Sequence, residues 1–103
     1  MIKISITKKG NLIEIIEVSG HSGYANQGSD IVCSSVSTAM YVSYGLLEKG
    51  KCDFTFKEDA KIPYMKLKIN KFDTISNLVM ENLVDVLEGI AFDYKAYVTI
   101  INE

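Results

Sequence analysis

The only histidine of the chain, His21, stands twelve positions before Cys33, one of two cysteines. An imidazole that reaches a thiol can take its proton, and the resulting thiolate attacks carbonyl carbon. The residues between the two are suited to closing that contact. Gly20, Gly23 and Gly28, with Asn26, Ser29 and Asp30, favour turns and a flexible loop. The apolar pattern resumes at Ile31 as a helix would begin, which puts Cys33 in a first helical turn. There it faces the positive end of the helix dipole and unpaired backbone N–H groups, both of which favour an anionic sulfur. Twelve positions of loop are ample to fold the imidazole back onto it.

Each neighbour of this pair carries two readings. Asp30 precedes the helix and is a natural N-cap, yet its carboxylate could instead orient His21. Its negative charge opposes a thiolate at Cys33, so catalytic help from Asp30 would act through the imidazole. Ser34, Ser35, Ser37 and Thr38 can return their hydroxyls to backbone carbonyls. Ser37, four residues after Cys33 on the same helical side, can also reach the site. Alone, His21 reads as a surface histidine and Cys33 as a small buried side chain. Cys52, at the start of a phenylalanine-rich strand, reads as a packing residue, and Tyr41, Tyr44, Phe54 and Phe56 as core or interface.

Other chemistries lack their residues. One histidine and two cysteines nineteen positions apart form neither a zinc pattern nor a Cys-x-x-Cys redox pair, so no metal or cofactor is expected. Gly20-x-x-Gly23 is like the backbone-binding loop of KH modules, but no adjacent basic patch and no G-x-x-x-x-G-K-[ST] accompany it.

The elements that would hold the pair follow a clear rhythm. Ile2, Ile4 and Ile6 alternate with polar residues, Lys9-Gly10-Asn11 turns, and Leu12 to Val18 runs back as a hairpin. Val32, Val36, Met40 and Leu47 recur at helical intervals from Ile31 to about Glu48, with Gly50 just beyond. Cys52 to Lys57 and Met65 to Asn70 alternate as strands. Ile75, Leu78, Val79, Leu83, Val86 and Leu87 line one side of a second helix, begun by Asp73 or Thr74 and stopped near Gly89. Tyr94 to Ile101 is a last strand. The order ββαββαβ gives an α+β fold, a five-stranded, mostly antiparallel sheet with both helices on one face.

Length and charge bound the class. The 103 residues, 48% of them hydrophobic, suffice for one modest core. A formal charge of −2 argues against a broad basic surface, so direct nucleic-acid binding is not expected. No apolar run approaches the roughly 20 residues of a membrane span. The alternating start lacks the features of a signal peptide, so a cytoplasmic protein with reduced cysteines is expected. Ile13, Ile15, Ile16, Tyr94, Tyr97 and Ile101 suggest that strand positions are apolar on both sides, which a second copy of the chain would close.

Gly20-His21-Ser22-Gly23-Tyr24-Ala25 followed by Gly28-Ser29-Asp30-Ile31-Val32-Cys33-Ser34-Ser35-Val36-Ser37 resembles the signature of the bacterial ribosomal-processing cysteine protease family, Prp. The similarity extends over essentially the whole chain, with Ser22, Ser34 and Ser35 where alanines are common. It implies a small α+β homodimer in which His21 is the base and Cys33 the nucleophile. Asp30 then lies near them, and Gly20 serves as the hinge of a mobile loop; the glycines Gly20, Gly23 and Gly28 themselves suggest that this loop closes over bound peptide. The resemblance further implies removal of an N-terminal extension from the precursor of large-subunit ribosomal protein twenty-seven, after an apolar, aromatic-containing stretch. A noncatalytic ribosome-assembly or RNA-associated binding module is the alternative, and another thiol enzyme such as an acyl hydrolase is a second.

Overall fold

Alternation of apolar and polar residues dictates the sheet of the computed structural model, which describes residues 1–25 and 30–103. Strand β1 (Ile2–Lys9) turns through Gly10, at φ +63°, into β2 (Leu12–Ser19). Helix α1 (Ile31–Lys49) leads to β3 (Asp53–Asp59) and β4 (Tyr64–Lys71). Helix α2 (Thr74–Asp93) and β5 (Val98–Asn102) complete the chain. The spatial order is β3-β4-β2-β1-β5; every neighbouring pair is antiparallel except β1 and β5, which run parallel. This is the expected ββαββαβ order with a mostly antiparallel sheet.

The core lies between the sheet and the helix pair. Ile2, Ile4 and Ile6 of β1, Ile16 and Val18 of β2, and Leu67 and Ile69 of β4 meet Val32, Val36, Met40 and Leu47 of α1. Met80, Leu83 and Leu87 of α2 complete the contact. The helical spacing puts these residues on one face of each helix, and their removal from water is the main stabilising term. Asp73 and Ser76 form a reciprocal capping box at the start of α2. Gly50 closes α1 by donating its N–H to the Leu46 carbonyl at 2.9 Å.

Three expectations are corrected. Helix α2 continues past Gly89 to Asp93, because Ile90 and Ala91 still pack against the core and reward another turn. The last strand begins at Val98 rather than Tyr94: Tyr94 caps α2, and Tyr97 lies in the turn that follows. The second face of the sheet is also less apolar than its sequence suggests. The β1–β2 register passes from Thr7↔Ile15 to Lys8↔Ile13, so Glu14 is an extra residue on β2. That bulge lets Ile13 and Ile16, three apart, both be buried on the helix side. Tyr94 and Tyr97 instead flank Tyr24, edge-on at 5.9 and 5.2 Å between ring centroids. Exposed apolar side chains are more prominent on the helices, at Val42, Leu46, Leu78 and Val86.

Candidate active site

The site forms where β2 ends and α1 begins. Gly20 follows β2 with φ +91° and donates its N–H to the Pro63 carbonyl at 3.0 Å, which ties this end of β2 to the start of β4. A Cβ on Gly20 would stand 2.5 Å from the Met1 carbonyl oxygen, so no other residue fits this backbone without displacement. His21 comes next and is exposed. Gly23, at φ +73°, turns the chain again.

Cys33 is half-buried in the first turn of α1, as its sequence position predicts. Asp30 is the N-cap: its Oδ1 accepts from the N–H groups of Val32 and Cys33, each at 3.0 Å, while its backbone carbonyl accepts from Ser34 at 3.1 Å. Its other oxygen accepts from the Ser22 hydroxyl. Burial pushes the Asp30 carboxyl upward. The Ser22 hydroxyl and the Cys33 and Val32 N–H groups outweigh it and hold the group below the usual carboxylate range. The backbone donors expected to lie free beside the sulfur are therefore engaged in the cap. Cys33 Sγ accepts instead from the Ser22 N–H at 3.4 Å, and among the described residues no hydrogen bond joins it to His21.

Both groups open onto one cleft of about 910 Å³. Its walls are apolar at Val18, Ile31, Val36 and Met65, with Tyr41 on α1 and Glu58 and Asp59 at the β3 end. The Tyr41 hydroxyl donates to the Glu58 carboxylate. Gly20, His21, Gly23, Asp30, Cys33 and Ser37 all border this space; Gly28 lies outside the described residues. Ser34 and Ser35 return their hydroxyls to the Ile31 carbonyl, at 3.1 and 2.6 Å. Tyr44 packs on Phe54 and Phe56, whereas Tyr41 divides its contacts between Phe56 and the cleft. Among the described residues no three His, Cys, Asp or Glu side chains converge as metal ligands would, and no helix is long and apolar enough to cross a membrane.

Sequence reasoning passed over two residues here. Ser22 was visible only as a small side chain standing for an alanine, yet its side chain and backbone bond to both Asp30 and Cys33. Tyr24 carried no periodic signal, because its partners Tyr94 and Tyr97 lie far along the chain.

A thiol at a capped helix start, sharing a cleft with an imidazole, defines a candidate cysteine hydrolase. The sequence profile described as cysteine protease Prp matches residues 1–99. A curated relative, the ribosomal processing cysteine protease Prp of Mycoplasma genitalium, is 30% identical over 105 residues, spanning 100% of this chain and 96% of the relative. The chain belongs to the Prp family of cysteine proteases. The crystal structure of the S. aureus ribosomal processing protease Prp with a covalently linked product peptide superimposes with a TM-score of 0.92 at 17% identity, covering 100% of both chains. The same protein with a substrate peptide gives 0.84 at 16% identity, again over 100% of both. SMU.848 of Streptococcus mutans gives 0.80 at 25% identity, over 100% of this chain and 96% of that one.

Proposed function

We propose that this chain is the endopeptidase that removes the N-terminal extension of the precursor of large-subunit ribosomal protein twenty-seven, using Cys33 and His21. The observation that carries the reading is their joint placement on one peptide-sized cleft, with Cys33 in the first turn of α1. In the reaction, His21 takes the Cys33 proton and the sulfur attacks the scissile carbonyl carbon. The tetrahedral adduct then collapses, the amine leaves with a proton from His21, and a thioester remains on Cys33. Water, deprotonated by the same imidazole, hydrolyses the thioester and restores the thiol. The resting Sγ is bonded to the Ser22 N–H. His21, exposed and next in sequence to Ser22, approaches the sulfur when peptide fills the cleft; catalytic hydrogen bonds commonly tighten only in the substrate complex.

Asp30 acts in this scheme as the cap that fixes the helix turn bearing Cys33, since its carboxylate is occupied by Val32, Cys33 and Ser22. The field at the helix start favours the developing negative charge. Ser37 lines the same cleft as the nucleophile, and Gly20 and Gly23 set the path of the loop. The apolar walls fit an apolar, aromatic-containing stretch before the cut, and Glu58 and Asp59 complement a basic substrate. The active species is a cytoplasmic pair of chains. Incubation of the extended precursor with the protein, followed by mass spectrometry, should show one new N-terminus after the apolar stretch. An uncut precursor would overturn the substrate, and a precursor bound but intact would favour the binding-module alternative.

A further inference from the structure

Ser22 is 4% exposed, although His21 before it and Gly23 and Tyr24 after it are exposed. Its buried hydroxyl bonds in both senses: it donates to Asp30 Oδ2 and accepts from the Tyr24 N–H at 3.0 Å. Its backbone N–H donates to Cys33 Sγ at 3.4 Å. The opposite oxygen of the same carboxylate holds the N–H groups of Val32 and Cys33. One carboxylate thus joins the segment carrying His21 to the turn carrying Cys33, and Ser22 is its link on the loop side.

We infer that Ser22 is a positioning residue of the protease: its hydroxyl, anchored on Asp30, seats the loop against α1 and so places the Ser22 N–H on the sulfur and His21 at the mouth of the cleft. The inference rests on the proposed pairing of Cys33 with His21. A short side chain is required, because the hydroxyl must reach Asp30 while the adjoining N–H faces Sγ. Alanine fills nearly the same space without the anchor, so Ser22→Ala keeps the packing and removes the tether together with the acceptor of the Tyr24 N–H. Asp30→Ser is the complementary change. Serine is itself a good N-cap, but with one oxygen it cannot hold the helix turn and Ser22 together.

Alkylation of Cys33 by iodoacetamide at pH 7, followed by peptide mapping, reads the sulfur without any substrate. Ser22→Ala should slow it about tenfold, in keeping with the loss of a hydrogen bond to a charged group. With an apolar peptide substrate, kcat should fall by a similar factor while KM stays within about twofold, as expected when placement rather than peptide affinity is lost. Asp30→Ser should reproduce the fall in kcat, and the double variant should turn over no more slowly than the slower single variant, because both break one link; alkylation is read on Ser22→Ala, since the Asp30 charge itself opposes a thiolate at Cys33. Unchanged or faster alkylation in Ser22→Ala, or multiplicative losses in the double variant, would overturn the inference. Full turnover in His21→Ala would instead overturn the pairing on which it rests, whatever the alkylation rates.

Discussion

At the scale of single residues, the two cysteines differ in their surroundings. Burial pushes the Cys52 thiol up, and the Asp73 carboxylate beside it adds to the effect. Cys33 stands at the start of a helix and on the cleft. Iodoacetamide should therefore label Cys33 well before Cys52, which timed peptide mapping would show; equal rates would remove the distinction. Replacing His21 by alanine should lower kcat by about 10²–10⁴-fold, the range of general acid–base catalysis, with KM nearly unchanged. A change confined to KM would make His21 a binding residue. Acid stability follows from the carboxylates. Asp30 is held below its ordinary value, burial being outweighed by its hydrogen bonds, and Asp73 chiefly by the Ser76 N–H. Each stabilises the fold fully above the ordinary carboxylate range, and that contribution is lost as pH falls through the lowered value. In thermal melts, Asp73→Ala should flatten the decline of Tm below pH 4. At the other extreme, the hydrogen bond from Tyr64 to Glu17 at 2.7 Å, with burial and the carboxylate charge, pushes the phenol up to about 12. It therefore favours folding below the ordinary value of 10.0 and ceases to do so as pH rises through about 12.

At the scale of elements, glycines separate backbone need from mere tolerance. Gly20→Ala forces a Cβ against the Met1 carbonyl at a positive φ, and should cost about 1–3 kcal/mol of stability. Denaturant unfolding reads this directly, and turnover lost without any such destabilisation would assign Gly20 to loop movement alone. Gly89 lies inside α2 with open space around it, so Gly89→Ala should stabilise by about 0.5–1 kcal/mol. The same residue shows where sequence reading reaches its end. A glycine near the close of an amphipathic run signals a stop, but Ile90 and Ala91 find the core and carry the helix on. The first four strands, the caps at Asp30 and Asp73, and the place of Cys33 were legible because each depends on neighbours in the chain. The β2 bulge, the tyrosine cluster around Tyr24 and the Ser22 tether were not, because each is set by a partner from another element.

At the scale of the whole molecule, the sheet and α1 together wall the cleft, with Cys33 on α1 and His21 on the chain after Gly20 both lining it. The proposed pairing of two chains is read by sedimentation at micromolar concentration, where a dimer is expected and a stable monomer would contradict it. The central claim is that Cys33 becomes covalently joined to the acyl portion of its substrate. Acid quenching soon after mixing with the extended ribosomal precursor, followed by intact-mass spectrometry and peptide mapping, tests it most directly. The result expected is an adduct with the mass of the released N-terminal segment, carried as a thioester on Cys33 and absent from Cys33→Ser. Cleavage by Cys33→Ser at the rate of the parent, or an adduct mapped to Cys52, would contradict it.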